Sequence, residues 1–352
     1  MEFLSFYRGK RVLVTGNTGF KGAWFCRILH RLGAKVTGYA LPPPTQPSLF
    51  ELLKSEREID TVFGDIGDSS HLLAVFRAAK PDIVFHLAAQ PLVYEGYRNP
   101  TGTYATNVMG TVHLLECVRK SDTVRSVLNV TTDKVYFNRE WAWGYRENES
   151  LCGYDPYSNS KSCSELVTYS YKHSFLEQQG VAVSTARAGN VIGGGDFAPD
   201  RILPDCVRAG LEGETIVLRN PNAIRPYQHV LEPLFAYLLI AAKGFANPQY
   251  ADCYNVGPDE RDCITNGALA DLFVSAWGEG LRWQTGGENG LHEANFLKLD
   301  SSKIKAKLGW RPRWDIAEAV GRTVEWSRTF RDGGDLVSVT DLQIEDYMKT
   351  VR

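Results

Sequence analysis

The sequence lacks the features of a membrane, secreted or metal-binding protein. No apolar run approaches the roughly 20 residues that a membrane-spanning helix needs, and the first residues, MEFLSFYRGKRVLVTG, contain no secretory leader with a cleavage site. The seven cysteines are an odd number without a C-x-x-C pair, so we expect reduced thiols and no metal site. A net charge of −2 gives no electrostatic reason to expect nucleic acid or a membrane as partner. Together these absences predict a cytoplasmic protein.

Strand-like and helix-like segments alternate along the first half of the chain. The 352 residues are enough for one nucleotide-binding domain and a smaller lobe. Strict alternation of strand and helix predicts an α/β fold with a doubly wound, mostly parallel sheet, which binds ligands at the carboxyl ends of its strands.

A glycine-rich turn follows the first predicted strand, RVLVTG. Gly16, Gly19 and Gly22 form a G-x-x-G-x-x-G motif, and a helical apolar pattern follows it and ends at Gly33. Glycines let the backbone approach a pyrophosphate, and a helix N-terminus supplies free amides and the positive end of a dipole. In this setting the motif favours a dinucleotide site over the alternative, a tight βα turn without a ligand.

The sequence after the second predicted strand, Ala34 to Tyr39, does not decide which dinucleotide binds. NAD sites usually present an acid here for the ribose, and NADP sites an arginine for the 2′-phosphate. The chain has neither in Gly38 to Leu41, so the choice stays open at this position and weak cofactor binding is expected. Farther on, Asp65 either accepts a hydrogen bond from adenine or forms a turn.

The pair Tyr157-x-x-x-Lys161 is the strongest candidate for catalysis. Residues four apart share a helix face, so the phenol and the ammonium would point into the same space. A free tyrosine has a pKa of about 10, and we expect the lysine charge to lower it. Such a pair can take a proton from a hydroxyl while hydride leaves the same carbon. The alternative is an ordinary surface pair on a helix.

Two arginines are candidates for binding a diphosphate. Arg187 and Arg225 suit this role because a guanidinium holds phosphate through two parallel hydrogen bonds. From the sequence alone, a salt bridge is an equally good explanation of each. His86 is expected to be structural, because no second metal-type residue lies near it in the sequence.

Taken together, five motifs resemble those of the extended short-chain dehydrogenase/reductase family over nearly the whole chain: T-G-x-x-G-F-x-G, H-L-A-A-Q, N-V-x-G-T, Y-x-x-x-K and R-x-G-N-V. T-D-K-V-Y, G-Y-A-L-P-P-P, R-P-Y-Q-H-V-L-E-P and F-L-K-L-D are most similar to the family's CDP-glucose 4,6-dehydratases. The resemblance implies tightly held NAD, a nucleotide-sugar substrate, and a homodimer packed through two long helices per subunit. It also implies a Rossmann-type domain of residues 1–188 with 226–257 returning to it, and a smaller C-terminal substrate-binding lobe of residues 189–225 and 258–352.

The resemblance also assigns roles residue by residue. The expected cofactor-binding residues are Gly16, Asn17, Thr18, Gly19, Phe20, Gly22, Asp65, Ile66, Leu87, Ala88, Ala89, Gln90, Asn107, Thr131, Tyr157 and Lys161. The expected substrate-binding residues are Thr132, Arg187, Asn190, Arg201, Arg225 and Gln228. The expected catalytic residues are Thr132, Asp133, Lys134, Tyr157 and Lys161.

The implied reaction has three steps. Tyr157 takes the 4-hydroxyl proton while hydride passes to NAD, a base removes the C5 proton while Asp133 protonates the departing 6-hydroxyl, and hydride then returns to C6. Lys134 stands where the dTDP-glucose enzymes carry glutamate, and as a base it must be neutral, against a reference pKa of about 10.4. Our hypothesis is a protonated Asp133 with a neutral Lys134; the alternative is that these two form an ion pair and another group is the base.

Two other functions remain possible on the sequence alone. A nucleotide-sugar 4-epimerase would share Tyr157 and Lys161 but needs no acid or base for elimination, and Asp133 with Lys134 argues against it. A catalytically inactive NAD-binding regulator would retain the fold but not the reactive residues. Asn17 and Tyr94 depart from the residues that are common in the resembled dehydratases.

Overall fold

The computed structural model describes residues 2–286 and 296–351. Its strands are β1 Arg11–Thr15, β2 Lys35–Ala40, β3 Asp60–Phe63, β4 Ile83–His86, β5 Ser126–Val130, β6 Ala182–Ala188, β7 Val191–Ile192, β8 Ile216–Leu218, β9 Ile224–Pro226, β10 Gln228–His229, β11 Cys253–Val256, β12 Cys263–Thr265 and β13 Trp283–Thr285. Its α-helices are α1 Glu2–Ser5, α2 Phe20–Arg31, α3 Leu49–Leu52, α4 Ser69–Ala79, α5 Val93–Arg98, α6 Pro100–Tyr104, α7 Gly110–Arg119, α8 Pro156–Tyr171, α9 Ile202–Glu212, α10 Leu231–Ala246, α11 Asn266–Trp277, α12 Ser302–Leu308, α13 Ile316–Arg331 and α14 Leu336–Thr350.

Seven strands form one parallel sheet in the order β3-β2-β1-β4-β5-β6-β11. The strand order reverses between β1 and β4, where Val12 lies opposite Ile83. In open α/β sheets, ligands bind outside the carboxyl ends of the strands at such a reversal. The Rossmann-type doubly wound sheet that the sequence predicts is therefore confirmed, and its topology already indicates where a ligand binds.

The sheet is buried on both faces because successive side chains of each strand point to opposite sides. Val12 and Val14 pack into one core with helices α2 and α10. Leu13, between them, belongs to the other core, which includes residues of α4 and α7. Parallel strands covered on both faces read as continuous apolar runs, which explains why the strand positions could be found in the sequence.

The segments after β6 build a smaller lobe beside the sheet. Its core joins α9, α11 and α13 around Trp277, which is fully buried. Strand β8 pairs with β13, and β9 pairs with β12. Between these parts of the lobe the chain returns to the sheet, since α10 packs on β5 and β6 and β11 pairs with β6.

The thiols and helix lengths give two further findings. All seven cysteines are free, as expected. Among residues 2–286 and 296–351, no helix combines the length and apolar character that crossing a membrane requires.

Candidate active site

A cavity of about 1370 Å³ opens at the carboxyl ends of the sheet strands, between the sheet and the lobe. Its walls include the glycine-rich turn after β1, the segment after β5, the first turns of α8, and the loops that lead into α9. The site therefore lies where the reversal in strand order predicts it.

The glycine-rich turn is shaped by contacts that exclude side chains. Gly16 has φ +77°, and a Cβ there would lie 2.7 Å from the Ala88 nitrogen. A Cβ on Gly22 would collide with the Gly16 carbonyl oxygen. Gly19 caps helix α2 without any side-chain acceptor for the first-turn amides. These amides and the helix dipole form an anion site, so the residues present fit the pyrophosphate of a dinucleotide.

Most of the predicted cofactor-binding residues line this cavity. They are Gly16, Thr18, Gly19, Phe20, Gly22, Asp65, Ile66, Leu87, Ala88, Ala89, Thr131, Tyr157 and Lys161. The carboxylate of Asp65 also accepts a hydrogen bond from the Gly67 nitrogen at 2.7 Å, which is the turn-forming alternative. Tyr39 donates to the Asp65 carbonyl at 2.9 Å, so an aromatic side chain occupies the place where an NAD site usually has an acid.

Three predicted cofactor-binding residues, Asn17, Gln90 and Asn107, do not line the cavity. Asn17 is buried under Gly38 and donates to Thr61 Oγ1 at 3.0 Å. Asn107 holds the backbone of Gln90 in both directions, accepting from its nitrogen at 2.9 Å and donating to its carbonyl oxygen at 3.0 Å. The side chain of Gln90 donates to Thr103 Oγ1 in α6 and accepts from the Leu92 nitrogen in its own loop. These residues shape the wall of the cavity from behind.

Helix α8 brings Tyr157 and Lys161 into the cavity. Asp155 caps the helix by accepting from the Ser158 nitrogen at 3.0 Å, and Pro156 occupies the first turn. This start places Tyr157 in the first turn of α8 and Lys161 one turn later. Both side chains line the cavity and both are buried.

The electrostatics of this pair differ from expectation. Burial raises the pKa of Tyr157 to about 12, while a hydrogen bond with the Thr132 hydroxyl lowers it. Burial, followed by the charge of Lys21, lowers the pKa of Lys161 to about 8. Lys161 donates to the Val130 carbonyl at 3.1 Å. In the protein chain by itself the pKa of the phenol is raised and not lowered, because desolvation is the largest effect.

Asp133 and Lys134 enter the cavity from the 3₁₀ turn after β5. Asp133 is 1% exposed; its Oδ1 accepts from Thr132 at 2.9 Å, while its Oδ2 has no hydrogen-bond partner among the described residues. Lys134 Nζ lies 3.7 Å from Asp133 Oδ1 and donates to Asn190 Oδ1 at 3.3 Å. The predicted catalytic residues are thus brought together: Tyr157 contacts Thr132, Thr132 contacts Asp133, and Asp133 contacts Lys134.

Four of the predicted substrate-binding residues line the cavity: Thr132, Asn190, Arg201 and Arg225. Arg201 Nη1 donates to Asp196 Oδ2 at 3.0 Å. Arg225, on β9, is buried, and its Nη1 donates to the Ile224 carbonyl at 2.9 Å. The two guanidinium groups reach the cavity from different segments, Arg201 from the start of α9 and Arg225 from β9, an arrangement that suits an extended anion.

Arg187 and Gln228, two of the predicted substrate-binding residues, lie outside the cavity wall. Both are buried. Arg187 Nε and Nη2 each lie 3.0 Å from a carboxylate oxygen of Glu165, so its guanidinium is used within the fold. Gln228 donates to the Val256 carbonyl at 2.9 Å and joins β10 to β11.

His86 is structural as expected, since its ring nitrogens face the hydroxyls of Thr15 and Thr111.

Three cavity residues were missed or undervalued by sequence reasoning. Lys21 follows Phe20 in the glycine-rich motif, and only the motif's glycines drew attention to it. Arg219, from β8's end, donates to the Tyr94 hydroxyl at 2.9 Å, with its guanidinium 5.0 Å from the Tyr94 ring centre. This contact joins the lobe to the sheet side of the cavity.

Among the described residues, no group of three or more His, Cys, Asp and Glu side chains has metal-binding geometry.

Comparison with known proteins identifies a family and several relatives. Residues 13–257 match the family described as GDP-mannose 4,6 dehydratase. The CDP-glucose 4,6-dehydratase of Salmonella typhimurium is 48% identical over 350 residues, 98% of each chain. The dTDP-glucose 4,6-dehydratase of Streptomyces antibioticus is 30% identical over 91% of this chain and 93% of that protein.

Solved structures agree with the fold. The dTDP-glucose 4,6-dehydratase of Streptomyces venezuelae, solved with NAD bound, is 26% identical with a TM-score of 0.75, covering 93% of this chain and 99% of that one. The UDP-glucose 4-epimerase of Thermus thermophilus, 23% identical with a TM-score of 0.78 over 90% and 98% of the two chains, shares the fold. The chain therefore belongs to the GDP-mannose 4,6-dehydratase family, within the extended short-chain dehydrogenases/reductases.

Proposed function

We propose that this protein is an NAD-dependent nucleotide-sugar 4,6-dehydratase that converts CDP-glucose to CDP-4-keto-6-deoxyglucose and water. One observation carries the proposal: the buried Asp133, with one carboxylate oxygen free of partners in the described chain, faces the same cavity as Tyr157 and Lys134. The relative from Salmonella typhimurium, whose name gives this reaction, supports the choice of substrate at 48% identity.

The cofactor's share of the chemistry is simple: bound NAD accepts hydride from C4 and returns it to C6. Tyr157, hydrogen-bonded to Thr132, takes the proton of the 4-hydroxyl. The C4 ketone makes the C5 proton acidic, and Lys134 removes it as Asp133 protonates the departing 6-hydroxyl. The electron pair of the broken C5–H bond forms the C5–C6 double bond, and water leaves. As hydride returns to C6, C5 takes a proton back from Lys134, so that the net change is the loss of water.

The residues of the glycine-rich turn would hold the pyrophosphate of NAD through the amides of α2. Thr18, Asp65 and Ile66 line the cavity and would contact the adenosine, and Lys161, which also lines it, would contact the nicotinamide ribose. Arg201, Arg225 and Asn190 would hold the substrate diphosphate. In this proposal residues 189–225 and 258–352 form the nucleotide-sugar lobe, and residues 1–188 with 226–257 form the cofactor domain.

The second candidate is a nucleotide-sugar 4-epimerase, which needs the tyrosine and the cofactor but no elimination. A buried acid at the cavity wall beside a lysine has no use in that reaction. A dehydratase that uses a dTDP-, GDP- or UDP-sugar is the nearer alternative, because Asn190, Arg201 and Arg225 suit any diphosphate.

The experiment is incubation of purified protein with CDP-, dTDP-, GDP- and UDP-glucose, with and without added NAD. The alkali-induced absorbance of a 4-keto-6-deoxysugar measures the product. Product from CDP-glucose alone supports both reaction and nucleotide, and product from another donor changes only the nucleotide. A C4 epimer without ketone from any donor would refute the dehydratase.

Exchange of the C5 proton tests the base. Lys134→Met should abolish incorporation of solvent deuterium at C5 while transient reduction of NAD persists. Unchanged exchange in this variant would assign the base to another group. Lys134→Arg is the matched control, since it keeps the charge beside Asp133 but cannot become neutral.

We also propose a cytoplasmic homodimer that packs through α7 and α8. Leu166 and Tyr169, three residues apart on α8, are 55% and 66% exposed, and Met109 just before α7 is 47% exposed. Large apolar side chains exposed on neighbouring helices are typical of a protein interface. Leu166→Glu with Tyr169→Glu should convert a dimer to a monomer in light scattering, and an unchanged mass would refute this interface.

A further inference from the structure

The cavity wall contains an arginine and an aspartate, side by side, that the proposed reaction does not use. Arg219 follows β8, Asp200 lies in the loop before α9, and both line the cavity. Arg219 Nη2 and Asp200 Oδ1 are 3.4 Å apart, and each side chain is 37% exposed. This distance is long for a hydrogen bond between charged groups, so both groups retain capacity to bind a ligand.

The guanidinium of Arg219 is oriented from the opposite side of the cavity. Its Nη1 donates to the Tyr94 hydroxyl at 2.9 Å, and its central carbon lies 5.0 Å from the centre of the Tyr94 ring. The hydrogen bond and the ring contact together restrict the plane of the guanidinium. Asp200 has φ +59°, a left-handed backbone conformation that aspartate and asparagine adopt more readily than most residues. The pair therefore presents an oriented donor beside an acceptor.

The strand that leads to Arg219 adds apolar surface to the same wall. Val217 and Leu218 of β8 both line the cavity, and Val217 is half-exposed. A flat ring can pack on these side chains while its polar edge meets the arginine and the aspartate. The negative charge of Asp200 makes the pair a poor site for a diphosphate, which is negative itself. A ring with a neutral, hydrogen-bonding edge fits better, and a nucleobase is such a ring.

We propose that Asp200 and Arg219 read the base of the substrate and select cytosine over uracil and thymine. The N4 amino group of cytosine donates to Asp200, and its neighbour N3 accepts from Arg219. Uracil and thymine reverse both positions: the O4 acceptor would face the carboxylate, and the N3–H donor would face the guanidinium. This inference rests on the proposed function, which names CDP-glucose, and it identifies the residues that distinguish the nucleotide.

The test is calorimetric titration of CDP, UDP, ADP and GDP into the NAD-saturated protein and its Asp200→Asn variant. The two purine nucleotides are included because purines also carry a donor next to an acceptor. We expect the parent to bind CDP about 10- to 100-fold more tightly than UDP, the discrimination that one well-formed pair of hydrogen bonds provides. Asparagine keeps the backbone conformation and can donate to O4, so the CDP/UDP affinity ratio of Asp200→Asn should fall about tenfold.

The ratio isolates base recognition, because the loss of a negative charge near the diphosphate acts on CDP and UDP alike. Asp205→Asn is the matched control: Asp205 also lines the cavity, but it pairs with Arg208, and its variant should keep the parent ratio. Arg219→Met should lower the ratio as Asp200→Asn does, because only cytosine offers an acceptor at N3. The ratio of kcat/KM for CDP-glucose and UDP-glucose should change in parallel, mainly through KM.

Two results would overturn the inference. One is a parent protein that binds UDP, ADP or GDP at least as tightly as CDP. The other is a CDP/UDP ratio that stays at the parent value in Asp200→Asn and Arg219→Met, with each variant shown to be folded by thermal unfolding. Nucleoside diphosphates bind without reacting, so a parent that prefers CDP but forms no ketone from CDP-glucose would support the base-reading pair and refute only the proposed reaction.

Discussion

Replacing Arg187 by methionine should reduce stability and leave substrate binding unchanged. Arg187 is 3% exposed and forms two 3.0 Å hydrogen bonds with Glu165, which is 4% exposed. Removing one partner of a buried pair leaves the other charge uncompensated, which costs about 3–5 kcal/mol. Arg187 also donates to the Tyr136 hydroxyl at 2.8 Å, so the methionine leaves a second buried group with one partner fewer. We therefore expect Arg187→Met to lower the free energy of unfolding by about 3–5 kcal/mol.

The assay is urea unfolding near pH 7, combined with KM for CDP-glucose under conditions where the variant is folded. Arg225→Met is the matched control, because Arg225 lines the cavity and its loss should raise KM. The double variant Arg187→Met with Glu165→Leu should recover most of the lost stability, since replacing a whole buried ion pair with apolar groups is often neutral. The reasoning is refuted if the free energy of unfolding of Arg187→Met lies within 1 kcal/mol of the parent while its KM for CDP-glucose rises tenfold. Arg187 would then be a substrate-binding residue.

Three further predictions follow from the site and the core. Gly22→Ala should abolish NAD binding in a fluorescence titration, because its Cβ would meet backbone, whereas Gly19→Ala, whose Cβ would lie 3.5 Å from the nearest atom, should retain it. Asp133→Asn should lower ketone formation by about 10²–10⁴, while NADH absorbance still appears on mixing with substrate. Burial raises the pKa of Glu232 to about 7 from 4.5, so the folded state holds this proton more tightly and wild-type stability falls as pH rises from about 4.5 to 7. Glu232→Gln, which does not titrate, should gain up to roughly 3 kcal/mol relative to wild type over that interval in urea unfolding, and no gain at pH 8 would contradict the direction of the shift.

The parts of the site that the sequence predicts well are those set by local geometry. Gly16 and Gly22 are required by contacts within the turn or with the adjacent strand end, and the Tyr157–Lys161 pair needs only one helical turn. Strand positions followed from apolar runs, because a parallel sheet covered on both faces leaves no polar face. These features depend on short stretches of chain, so short patterns are enough to find them.

The predicted site residues that lie outside the cavity wall include polar residues whose hydrogen bonds depend on partners distant in the chain. Sequence motifs suggest Arg187 as a diphosphate ligand as readily as they suggest Arg225. In the structure, however, Arg187 forms an ion pair with Glu165, which lies on helix α8, and this pair gives it a structural role. Gln228 and Asn107 likewise form hydrogen bonds with backbone groups, and no local sequence pattern indicates these bonds. Lys21 was missed because the glycines around it were enough to explain the turn. Only the structure shows that Lys21 lines the cavity.

The chemistry of the tyrosine depends on which groups are in the cavity at the same time. In the protein chain alone, burial raises the pKa of Tyr157 to about 12, so it is a poor base near neutral pH. The Thr132 hydroxyl lowers that pKa, and Lys161, whose own pKa is lowered to about 8, adds positive charge only while it is protonated. An oxidised nicotinamide brings a further positive charge, which favours the phenolate. Tyr157 is therefore expected to become an effective base only in the complex with cofactor and substrate, where hydride has an acceptor, and the same burial that weakens it alone limits side reactions with water.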